Sequence, residues 1–218
     1  MANALTKFIF GFLLMAGLLF LPAGTVCWYG AWLLLAVLFL PMLVLGTVLF
    51  AKYPGLLGKR LRTGESEPAQ RCVIAASGVM FLGGFVSAGL SVRFSFWLLP
   101  RWVSLTAAVV FLIGYGLYAR VMTETAWLSR TVEVQEDQQV VDTGLYALVR
   151  HPMYSATVLL FCSAPLVLGS GLSFLFFLPY PRLIAKRIEN EEAVLEQGLP
   201  GYSAYRQKVK YRLVPYLW

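Results

Sequence analysis

Two polar stretches of the 218-residue chain carry residue types that chemistry uses. The first is Asp142-Thr-Gly144-Leu-Tyr146-Ala-Leu-Val-Arg150-His151-Pro152-Met153-Tyr154. Pro152 suits the first position of a helix, where its missing N–H costs nothing. His151 and Arg150 then sit at the positive end of that helix, whose unpaired N–H groups favour a carboxylate or phosphate. Tyr146 and Tyr154 add flat faces and hydroxyls for an aromatic or cationic ligand. The competing reading is a basic juxtamembrane cluster on lipid headgroups, with tyrosines in the interfacial belt. The second stretch runs from Arg182 to Gly198 and is rich in helix formers. Its spacing puts Arg187 and Glu191 on one face, suited to an anionic and a cationic group respectively. Glu189, Glu192 and Glu196 share another face. The alternative is a solvated amphipathic helix whose surface ion pair is worth only about 0.3–0.5 kcal/mol. Gly198, before Pro200, is the expected C-cap.

The elements that must hold these stretches follow from composition. Apolar residues make up 59% of the chain and charged residues 13%, with a mean hydropathy of +0.70. A soluble domain is typically about 45–50% apolar and about 25% charged, so the expected fold is an all-α membrane protein. Six apolar segments run about 5–21, 28–50, 72–90, 102–122, 153–168 and 172–184. The first four are long enough, or nearly so, to cross a hydrocarbon layer of about 30 Å. The last two are shorter and are joined by Gly169-Ser170-Gly171, so they read as a short helical hairpin that crosses or re-enters. A cytoplasmic C-terminal helix follows. Lys7, an apolar run and Pro22-Ala23-Gly24 resemble a signal peptide, but an immediately following apolar run favours a retained first span. Pro41 is expected to kink the second segment.

Charge sorts these elements by side. Sixteen of the 18 Lys and Arg, and all 11 acidic residues, fall on the face holding both termini and both polar stretches; only Arg93 and Arg101 lie opposite. The positive-inside rule makes the crowded face cytoplasmic. Any acid–base or charge-stabilised chemistry therefore belongs there, between two stretches that the hairpin brings together. The net charge of +7 reports topology and anionic lipid rather than nucleic acid. Cys27, Cys72 and Cys162 are scattered and His151 is the sole histidine, so no metal site is expected. Gly55-Leu-Leu-Gly58-Lys59-Arg60 lacks the spacing and hydroxyl of a P-loop, and no dinucleotide-binding glycine motif occurs.

Several dispersed elements then agree in order and spacing: Thr143-Gly144-Leu-Tyr146, Arg150-His151-Pro152-Met153-Tyr154, Arg187-x-x-x-Glu191-Glu192-x-x-Leu195, Tyr202-x-x-Tyr205 and Val214-Pro215. Over residues 131–218 the chain resembles the isoprenylcysteine carboxyl methyltransferase family, in a compact prokaryotic-type form. The apolar segments make residues 1–122 a four-helix transmembrane region, and the resemblance implies a methyltransferase region at 123–218. It implies S-adenosylmethionine as cofactor and a lipophilic or lipidated substrate arriving from the bilayer. The implied cofactor site comprises Gln138, Gln139, Val140, Val141, Tyr146, His151, Pro152, Met153 (through its backbone), Tyr154 and Glu191. Arg187 would bind the substrate carboxylate and, with His151, make up the catalytic residues. A neutral acceptor would need a proton acceptor, for which His151 or Glu192 are candidates. Related families suggest two alternatives, a phospholipid N-methyltransferase and an NADPH-dependent sterol reductase. Arg130 stands nearly alone among acids where a reductase would want several basic residues, which weighs against the second.

Overall fold

The computed structural model describes residues 2–52, 68–124 and 138–218. Helices account for nearly all the regular structure, and among the described residues there is no strand, only an isolated bridge between Leu98 and Ser170. Four helices are long and apolar enough to span a membrane: α1 (Ala2–Ala23), α2 (Tyr29–Lys52), α3 (Pro68–Arg93) and α4 (Arg101–Glu124). Their faces carry exposed Leu, Val, Phe and Trp in numbers that water would not tolerate but lipid does. These residues bear out the all-α membrane fold. Residues 53–67 and 125–137, which include Lys59, Arg60 and Arg130, lie outside the described residues.

Helix α5 (Pro152–Val167) begins at Pro152, as its sequence predicts, and packs along α4. The returning arm differs from expectation. It is a short helix, α6 (Gly171–Phe177), followed by a long one, α7 (Tyr180–Gly198). Leu178-Pro179 separates them, because Pro179 and Pro181 carry no N–H and cannot continue the ladder of α6. At seven residues α6 is about 10 Å long and spans nothing by itself. Gly198 is not the cap of α7 but its last helical residue; Leu199 is the C-cap, and the left-handed turn falls at Gly201 (φ +84°), before α8 (Tyr202–Lys208). Pro41 lies inside α2 without ending it, as Pro22 does in α1 and Pro165 in α5.

The two ends of the bundle differ. At one end the turn between α5 and α6 is tied to the loop after α3: Leu99 N–H donates to Gly169 O at 2.8 Å, and Gly171 N–H to Trp97 O at 3.1 Å. Ser170 caps α6 and donates to Ser91 Oγ at 2.9 Å. The Arg101 guanidinium lies over the Tyr29 ring at this end. The core beneath is aromatic, with Phe81 edge-on to both Phe161 and Phe177 and Tyr180 edge-on to Phe161. At the other end α5 starts, α7 finishes, and the polar stretches converge.

Candidate functional site

The site is assembled by what holds the loop before α5. Glu124, the last residue of α4, accepts from Leu145 N–H at 2.8 Å and from Arg120 Nε at 2.9 Å. This pins a short 3-10 turn, Gly144–Ala147, whose first residue has φ +57°. A Cβ there would lie 2.7 Å from the Glu124 carboxyl, so glycine is required on both conformational and steric grounds. Tyr205 of α8 donates its hydroxyl to Tyr146 O at 2.8 Å, closing the loop from the opposite side. Val140 packs with Leu199, Tyr202, Tyr205 and Val209.

Tyr154, in the first turn of α5, is the junction of the site. Its hydroxyl donates to Glu191 Oε2 at 2.5 Å and accepts from Arg187 Nε at 2.8 Å. The Arg187 guanidinium carbon stands 6.0 Å from the Tyr154 ring centroid, and the His151 ring is 5.8 Å away, tilted by 31°. An anion-binding group, a cation-binding carboxylate, an aromatic face and an imidazole thus border one place. The i, i+4 face of Arg187 and Glu191 is real, but its two charges meet across a tyrosine hydroxyl rather than standing as a solvated surface pair.

The remaining expected residues fall into two groups. Pro152 is buried at the helix start, and Tyr146, Val140, Val141 and Gln138 are half-buried. Met153 packs toward Leu49 and Met122 and Gln139 is exposed, so neither joins the Tyr154 cluster through its side chain.

The amides just ahead of the helix are already paired. Arg150 N–H donates to Tyr211 O and His151 N–H to Arg212 O, both at 2.9 Å, while Tyr154 and Ser155 N–H both return to His151 O. Arg150 is not on lipid headgroups. It is 7% exposed, with Nε on Glu192 Oε1 at 2.7 Å and Nη1 on Val209 O and Lys210 O, both at 2.8 Å. Glu192 also departs from its stripe: Glu189 and Glu196 side chains are 50% and 41% exposed, whereas Glu192 is 3% exposed. Burial alone would raise its carboxyl, but hydrogen bonds from His151 and Arg150, with the Arg150 charge, bring it down to about 2. A carboxylate so held is a poor proton acceptor, which removes Glu192 from that role. Arg212, which donates to Glu192 Oε2 at 3.0 Å, had no signal in sequence beyond lying just before Val214-Pro215.

This polar cluster lies at one end of a bundle with four helices long and apolar enough to span a membrane, and a family model gives the chain's likeness. Residues 103–197 match the model of the Isoprenylcysteine carboxyl methyltransferase (ICMT) family. The match runs from α4 through α7, takes in Arg150–Tyr154, Arg187 and Glu191, and stops before α8. This match agrees with the resemblance visible in the sequence and supports a membrane methyltransferase as the class. No curated protein matches the chain.

Proposed function

We propose that the protein transfers a methyl group from S-adenosylmethionine to the carboxylate of a lipophilic, isoprenylcysteine-like acceptor. The observation that carries this reading is the Tyr154 hydroxyl bridging Glu191 and Arg187, which sets a cation site and an anion site side by side. The residues suit the donor: Glu191 matches an ammonium or sulfonium, and the Tyr154 face matches a cation or a purine. When bound, S-adenosylmethionine supplies a methyl on a positively charged sulfur. Arg187 would hold the acceptor carboxylate, and Tyr154 keeps Arg187 and Glu191 in register, which would orient acceptor and donor toward each other. Transfer neutralises both charges, and the apolar packing around α5 and α7 assists it by keeping water away. No proton need be removed from a carboxylate. The acceptor's apolar tail would lie among the exposed apolar faces of the spans, and we place the site on the cytoplasmic side on the strength of the charge distribution.

Calorimetric titration with S-adenosylmethionine and NADPH in parallel tests the donor; binding of NADPH alone would sink the reading. Methyl transfer from labelled donor to prenylcysteine analogues, phospholipids and quinones tests the acceptor. Exclusive labelling of a phospholipid amine would replace the carboxylate.

A further inference from the structure

The Glu192 carboxylate is fully engaged. Oε1 accepts from Arg150 Nε at 2.7 Å and faces His151 Nε2 at 3.2 Å; Oε2 takes Arg212 Nε and Nη2, both at 3.0 Å. Arginine can only donate, and an ionised carboxylate can only accept. The imidazole edge that meets Oε1 must therefore be N–H. Nothing among the described residues hydrogen-bonds the other ring nitrogen, Nδ1. Arg150 also clasps the segment 209–212 through the Val209 and Lys210 carbonyls, while the Tyr211 and Arg212 carbonyls take the Arg150 and His151 amides and so fix the ring's backbone.

We infer that Glu192 is a positioning residue: it locks His151 with the proton on Nε2, leaving Nδ1 as the acceptor through which His151 receives an N–H or O–H of the bound methyl donor. This rests on the reading of the site as a methyl-donor site. It also assigns a polarity to the imidazole. In this tautomer Nδ1 takes a donor group of the ligand and turns away the ligand's carboxylate, which falls to other residues.

Because His151 is the only histidine in the chain, 15N-histidine NMR of the full-length protein in detergent or nanodiscs reads this ring alone. At pH 8 the wild type should show a protonated Nε2 and a bare Nδ1. Saturating S-adenosylmethionine should move the Nδ1 resonance and leave Nε2 protonated. Glu192→Gln keeps an acceptor oxygen and should keep the tautomer; Glu192→Leu should mix the tautomers and raise KM for the donor by about tenfold or more. A wild-type ring protonated on Nδ1 overturns the inference without any variant, so failure of Glu192→Leu to fold does not shelter it. An unmixed tautomer in folded Glu192→Leu, or an Nδ1 signal unmoved while calorimetry shows the donor bound, overturns it equally. Absence of calorimetric binding would instead sink the functional reading and leave the ring's tautomer standing.

Discussion

At the scale of single residues, one hydroxyl ties the two charges of the site together. Tyr154→Phe removes the acceptor for Arg187 Nε and the donor for Glu191 while keeping the ring, so the aromatic face survives and the register is lost. Methyl transfer should fall by about 10²-fold with donor affinity reduced far less, read by kinetics beside calorimetry. Arg187→Ala should abolish turnover with S-adenosylmethionine still bound; equal loss of both would contradict the division of labour. Arg187→Lys should not rescue, since a point charge lacks the planar fork that meets Tyr154 and a carboxylate together. Glu192 gives a pH dependence with a definite sign. Its carboxyl is lowered from 4.5 to about 2 on folding, so the stability it provides is complete above the unfolded value and drains away as pH falls from there toward about 2. Thermal denaturation should show the wild type losing stability through that window. Glu192→Gln, already weaker at pH 7 by about 3–5 kcal/mol because Arg150 is left buried without its counter-charge, should show a shallower slope.

At the scale of elements, the start of α5, the four long spans and the shared face of Arg187 and Glu191 were legible because each is a local property. Proline position, apolar run length and a four-residue spacing need no knowledge of the rest of the fold. What could not be read is what comes from far along the chain. The amides of Arg150 and His151 look available in sequence, and only the approach of residues 211 and 212 fills them. Glu192 carries the same helical stripe as Glu189 and Glu196 and differs only because the C-terminal segment covers it. The break between α6 and α7 was missed for another reason: apolar residues continue across Leu178, while the two prolines that interrupt the helix leave hydropathy unchanged. The loop that brings Tyr146 and Val140 to the site depends on the pairing of Gly144 with Glu124. Gly144→Ala must adopt φ +57° and push against the Glu124 carboxyl, so it should destabilise the turn by about 1 kcal/mol or more. Weakened donor binding with the helical signal unchanged in circular dichroism would be the signature. Glu124→Gln, which keeps an acceptor for Leu145 N–H, should be milder than Glu124→Ala.

At the scale of the whole molecule, function depends on which way the bundle faces the membrane. The site end collects the finish of α2 and α4 and the starts of α3 and α5, with Leu49, Met122 and Met153 packed together beneath them. The opposite end collects the α1–α2 connection, Arg93, Arg101 and the 169–171 turn; a Cβ on Gly24 would lie 3.9 Å from the Arg93 guanidinium. The asymmetry of basic residues between those ends is the force that orients the chain during insertion, since moving Lys and Arg across the bilayer is what the positive-inside rule penalises. Nature has placed a thiol at each end: Cys27, exposed between α1 and α2, and Cys72, exposed in the first turns of α3. An impermeant maleimide applied to intact cells should label Cys27 and spare Cys72, and inverted vesicles should reverse the pattern. Cys27→Ala and Cys72→Ala assign the signals. Labelling of Cys72 from outside the cell would put Arg187, His151 and Glu191 on the outer face, where a cytosolic methyl donor has no access, and the proposed activity would fail with the topology.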